Sequence, residues 1–142
     1  MENKKTKILI IDDNEIIRMM FSNIFWLHGL DDTYELSTVG RADEAQKQIE
    51  NPSTCPDIIF MGLVMPLEKD GKVTPSVEAG FTIIKQVKEN PKLSHIRIIV
   101  LSGYQDAEFQ QKALDMGVER YLKKSESMPQ DILELIRSLR SS

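Results

Sequence analysis

Five short apolar runs punctuate the chain, and a helical pattern follows each of them. The runs are 7–11 (KILII), 34–39 (YELSTV), 57–61 (DIIFM), 96–101 (IRIIVL) and 120–122 (RYL). The first, third and fourth are nearly continuous in Ile, Val and Leu, as strands buried on both faces are. In 14–28, Ile17, Met20, Phe21, Ile24 and Leu27 recur at spacings of three and four, and Gly29 is a plausible stop. Residues 41–50 place Ala42, Ala45 and Ile49 on one side, and 80–89 offer Ile83, Ile84 and Val87 before Asn90-Pro91. Residues 105–116 carry Phe109, Ala113 and Met116, and 130–140 carry Ile132, Leu135, Ile136 and Leu139. Five alternations of strand and helix predict right-handed crossovers and an α/β fold, a parallel sheet with helices on both faces.

A chain of 142 residues suits one domain, 1–142. Its net charge of -4 gives no general attraction to nucleic acid or anionic membrane. One cysteine, Cys55, excludes an intrachain disulfide and fits a reducing cytoplasm. The apolar run near the N-terminus stops at two aspartates, too short for a signal peptide or a membrane span. Residues 67–79 (LEKDGKVTPSVEA) lack periodicity and are expected to form an extended loop between the third strand and its helix. Phe21 is expected in the core. Trp26 is expected to pack as well, with a partner surface as the alternative.

Parallel sheets of this kind place their functional site beyond the carboxyl ends of the strands. The first strand ends at Asp12-Asp13. Adjacent carboxylates repel, so the pair points to Mg²⁺ or to a lysine, although one of them can also cap the following helix. The fourth strand ends at Ser102-Gly103, a hydroxyl able to bond a phosphoryl oxygen or simply a turn. Lys123-Lys124 follow the fifth, where a lysine can reach over the site or face solvent.

In their order, ILIIDDNE, PDIIFMGLVMP, GFTIIKQVK, IRIIVLSGY and GVERYLKKS resemble the response-regulator receiver domain of two-component signalling, over nearly the whole chain. The resemblance implies a CheY-like, flavodoxin-like (βα)5 three-layer sandwich with strand order 2-1-3-4-5. It implies that Asp12 and Asp13 hold Mg²⁺, with Asp13 favoured as the direct ligand, and that the main-chain carbonyl of Val64 completes the metal's protein ligands. The phosphoaccepting aspartate of the family lies four residues before the proline of the Met-Pro turn. Counting back from Pro66 gives Gly62. Ser102 matches the hydroxyl that binds the phosphoryl group, Tyr121 the switch aromatic, and Lys124 the site lysine. Ser125 stands where the family usually has proline. Asp57 begins the third strand, roughly 16 Å from Gly62 by strand rise, and is expected to make a structural contact.

Phosphoryl transfer to a receiver needs a carboxylate nucleophile, a metal, and lysine and hydroxyl groups on the oxygens. Gly62 removes the nucleophile and one metal carboxylate, so Mg²⁺ binding is expected to be weakened or absent, with Lys124 paired to Asp12 or Asp13. Two origins fit Gly62. It is either natural, in a pseudo-receiver that binds without phosphorylation, or the product of one base change in an aspartate codon. The otherwise intact site favours recent loss. Intact members catalyse their own phosphorylation and dephosphorylation; this chain is not expected to act as an enzyme. A flavodoxin-like carrier lacks its phosphate loop here, and a small phosphatase would need Asp12 as nucleophile. The resemblance implies a stand-alone cytoplasmic switch. Its partners would be a histidine kinase or phosphotransfer protein and a downstream target, with no direct nucleic-acid contact and no membrane insertion. The family's output face corresponds to 105–116, the fifth strand and 130–140.

Overall fold

The computed structural model describes residues 5–27, 29–30, 33–102, 107–123 and 129–141. The elements run β1 (Thr6–Ile11), α1 (Glu15–Leu27), β2 (Tyr34–Val39), α2 (Ala42–Glu50), β3 (Ile58–Met61), β4 (Met65–Lys69), β5 (Lys72–Ser76), α3 (Val77–Glu89), β6 (Arg97–Ser102), α4 (Ala107–Asp115), β7 (Arg120–Lys123) and α5 (Pro129–Ser141). Five strands form one parallel sheet, in the order β2-β1-β3-β6-β7. With the β4–β5 hairpin set aside, that is the expected 2-1-3-4-5.

Alternation along β1 divides the interior. Ile8 and Ile10 join Phe60, Leu101 and the buried faces of α1 and α5, including Phe21, Ile24, Ile132 and Ile136. Leu9 and Ile11 join Ile59, Met61, Val100 and the faces of α2, α3 and α4, including Ile49, Ile83, Val87 and Ala113. The sheet is therefore covered on both sides, which is why its central strands are apolar throughout. Phe21 stacks obliquely on Phe60 at 5.5 Å between ring centres, tying α1 to the middle strand.

Two expectations are corrected. Residues 67–79 are not an irregular loop, because 65–76 form an antiparallel hairpin, β4 on β5. Its turn is Asp70-Gly71, with φ of 55° and 77°. Positive φ at both central residues is the two-residue hairpin geometry that Asp-Gly favours. Helix α3 begins directly after it at Val77, where the Ser76 hydroxyl caps the backbone N–H of Glu78 at 3.1 Å. Trp26 does not pack, being 72% exposed on α1. Periodicity explains this, since Phe21, Ile24 and Phe25 already define the buried face and Trp26 falls outside it.

At the amino-terminal end of the sheet, Asp57 joins three strands. Its N–H donates to the Lys7 carbonyl (2.8 Å), its carboxylate accepts from the Lys7 N–H (2.9 Å), and its carbonyl accepts from the Arg97 N–H (3.0 Å). This is the structural contact expected of it.

Candidate functional site

Parallel register sets the candidate residues in one row. Ile11 pairs with Val39 and Met61, Met61 with Val100, and Ser102 with Lys123. One step further along, Asp12 donates its N–H to the Val39 carbonyl and Gly62 donates its N–H to the Ile11 carbonyl, both at 3.1 Å. Asp12, Gly62, Ser102 and Lys123 thus meet at the carboxyl end of the sheet. The Ser102 backbone belongs to this row, while its side chain lies outside the described residues. Lys124, Gly103, Tyr104, Ser125 and His28 also lie outside them.

Asp12 is 3% exposed. Its Oδ1 accepts from the Asn14 N–H at 2.9 Å, and the Asn14 side chain in turn accepts from the Ile16 N–H at 2.9 Å. Asp12 and Asn14 therefore satisfy N–H groups at the start of α1 that the helix itself leaves open. Asp13 is exposed. Arg18, one turn into the helix, donates from Nη1 to the Asp12 carbonyl. Its guanidinium fills the space beside Gly40, where a Cβ would stand 2.6 Å from Nη1. Sequence reasoning missed Arg18 and Gly40. The available signals were a cation on the first turn after the acidic pair and a glycine directly after the second strand.

Gly62 is buried, and its backbone avoids the left-handed region. A Cβ built there meets only the carbonyl oxygens of Leu101 and Val64, each at 3.9 Å, which is ordinary contact. Other glycines have a reason to be glycine. Gly71 needs positive φ, and at Gly80 a Cβ would stand 2.6 Å from both Cα and O of Leu63. The Gly80 N–H donates to that same Leu63 carbonyl at 3.1 Å, so α3 is docked onto the bend that follows Gly62. No such constraint holds at Gly62.

The oxygens gathered here suit a hard cation. Asp12 and Asp13 follow directly on Ile11, whose carbonyl accepts the Gly62 N–H, and the Val64 carbonyl oxygen lies 3.9 Å from where a Gly62 Cβ would stand. Among the described residues no three His, Cys, Asp or Glu side chains converge as a metal site. These donors are of the kind that Mg²⁺ takes. Tyr121 is half-buried, paired in register with Val100 and packed against the α2–α3–α4 side of the core. A cleft of about 750 Å³ lies at the opposite end of the sheet. Its walls mix Lys5, Lys7 and Arg97 with Glu35 and Asp57, so it favours no one ligand charge.

Comparison with known proteins agrees with this layout. The family model for the response regulator receiver domain matches residues 8–137. The response regulator protein VraR of Staphylococcus saprophyticus is 33% identical over 132 residues, covering 92% of this chain and 54% of that protein. The hybrid signal transduction histidine kinase A of Dictyostelium discoideum is 31% identical over 84% of this chain and 5% of its own length. The chain thus spans about half the length of VraR and far less of the kinase. Among solved structures, a CheY-like receiver domain protein from Methanospirillum hungatei superposes with a TM-score of 0.76 at 22% identity, covering 95% of this chain and 93% of its own. The chemotaxis response regulator CheY4 of Vibrio cholerae gives 0.73 at 23% identity, covering 95% and 98%.

Proposed function

The chain belongs to the response regulator receiver domain family, and from that premise we propose that it is a phosphorelay receiver with Gly62 at the phosphoacceptor position. One observation carries the reading. Gly62 lies in the row of strand ends beside Asp12, with an ordinary backbone and room for a Cβ. Nothing in its surroundings calls for glycine.

In this reading Asp12, Asp13 and the Val64 carbonyl hold Mg²⁺, as receiver domains generally do at the phosphorylation site. With a carboxylate at residue 62, a bound ion there would supply charge neutralisation for a transferring phosphoryl group. With that carboxylate restored, Ser102 and Lys124 would take the phosphoryl oxygens, and Tyr121 would report the change by moving between buried and exposed positions. Arg18 acts as a positioning residue, holding the Asp12 backbone through its carbonyl. Without a carboxylate at residue 62, the chain accepts no phosphoryl group there and works through binding. Receiver domains meet kinases or phosphotransfer proteins on one side and downstream effectors on the other, and these are the partners proposed here. Among the described residues no helix is long and apolar enough to cross a membrane, and we place the receiver in the cytoplasm.

Mg²⁺ titration by calorimetry tests the metal half of the proposal. Gly62→Asp should tighten binding roughly tenfold, about 1.4 kcal/mol, by adding a third carboxylate. Asp13→Ala in that background should reverse the gain. Equal affinity with and without the residue-62 carboxylate would remove Gly62 from the metal site.

A further inference from the structure

Asp12 is held at three points. Its N–H donates to the Val39 carbonyl at 3.1 Å, its Oδ1 accepts from the Asn14 N–H at 2.9 Å, and its carbonyl accepts from Arg18 Nη1. The third tether is the one that reaches Asp13. A peptide group is planar, so a bond that fixes the Asp12 carbonyl also fixes the N–H and the Cα of the next residue. Asp13 is exposed, and the direction of its side chain follows from that backbone.

Gly40 closes the same arrangement from the other side. Its N–H belongs to the peptide group whose carbonyl, that of Val39, accepts from Asp12. The Gly40 backbone is therefore tied to Asp12 and is not free to withdraw. A Cβ built on it would stand 2.6 Å from Arg18 Nη1, 3.3 Å from Cζ and 3.7 Å from Nη2. All three atoms belong to the guanidinium, and Nη1 is the one that bonds the Asp12 carbonyl. Gly40 does not adopt a left-handed φ. Its conformation does not call for glycine; the guanidinium does.

We propose that Gly40 is a positioning residue for the acidic pair. Having no side chain, it lets Arg18 hold the Asp12–Asp13 peptide in the orientation that binds Mg²⁺. The inference rests on the reading of Asp12 and Asp13 as metal ligands. A side chain at residue 40 would push the guanidinium off the carbonyl. That displacement costs the fold little, because only the far end of a long side chain has to move. A shallow cleft of about 270 Å³, lined by Arg18 with Glu15, Ser22 and Thr38 among others, gives the displaced group a place to go. Residue 40 thus acts on the site through Arg18, without touching the ion and without holding up the fold.

The test is a double-mutant cycle at Gly40 and Arg18, made in the full chain and in its Gly62→Asp variant. It is read by Mg²⁺ calorimetry and by the nitrogen-15 spectrum of the arginine side chains. Gly40→Ala should weaken Mg²⁺ binding about fivefold, somewhat less than the loss of a group that holds a ligand directly. The urea midpoint should stay where it is. The Arg18 Nη signals, distinct while the bond to the carbonyl holds, should merge with those of solvated arginines. In Arg18→Met, Gly40→Ala should change nothing further, because its effect runs through the guanidinium. A Gly40→Ala chain with unchanged Mg²⁺ affinity, whether or not Arg18 is released, would overturn the proposal. So would equal weakening with and without the arginine, which would make Gly40 a merely structural glycine. If no variant takes up Mg²⁺, Gly62→Asp included, the metal reading itself fails and the proposal falls with it.

Discussion

Asp57 and Gly62 stand at the two ends of one strand, and their neighbours ask different things of them. Asp57 is engaged through its N–H, carboxylate and carbonyl by the starts of β1 and β6. It also acts on Cys55. Burial pushes that thiol up, the Asp57 charge pushes it further, and Lys7 partly opposes them. Only the thiolate is reactive, so Asp57→Asn, by lowering the thiol's pKa, should speed alkylation of Cys55 a few-fold near pH 8. An unchanged rate would mean that the carboxylate does not act on the thiol. Gly62 was found by counting back from Pro66, and its burial, its backbone and the open space over it are consistent with that position. Helical phase decides which side of α1 is covered, and Trp26 falls outside the side that buries Phe21, Ile24 and Phe25. For Arg18 the sequence offers only a cation on the first turn after the acidic pair, because its bond runs to a backbone carbonyl.

At the scale of elements, the hairpin was the unread part. The apolar alternation used to find strands is absent from β5, whose first four residues are exposed. The signal that was present was the Asp-Gly pair between two lysines. Lys69 pairs with Lys72 around that turn, and bonded pairs alternate along an antiparallel ladder. Pro66 opposite Pro75 therefore falls at a non-bonded position. The missing N–H groups cost the ladder nothing and blunt both outer edges against further strands. Two substitutions separate the roles of two glycines. Gly71→Ala strains the turn and should cost about 1 kcal/mol. Gly80→Ala drives a Cβ into the Leu63 backbone and should cost about 2 kcal/mol or more. Urea midpoints measure both; a Gly80→Ala protein as stable as the parent would mean that α3 is not docked tightly on Leu63.

For the molecule as a whole, the alternation of runs was enough to read the sheet, because strands covered on both faces must be apolar along their length. The strand order came from the family resemblance, and the register then carries the site. Once β1, β3, β6 and β7 are parallel, their last residues meet at one end whatever the loops do. Legibility stopped where a side chain's role depends on neighbours distant in sequence, as with Gly40 under Arg18 and Gly80 on Leu63. The central claim is that a receiver site has been built here around a position without its carboxylate. Its direct test is intact mass spectrometry of this chain and of Gly62→Asp, each incubated with Mg²⁺ and a small-molecule phosphodonor. The account predicts one added phosphoryl group on Gly62→Asp and none on the chain itself. Phosphorylation of the chain as it stands, or of neither protein, would contradict it.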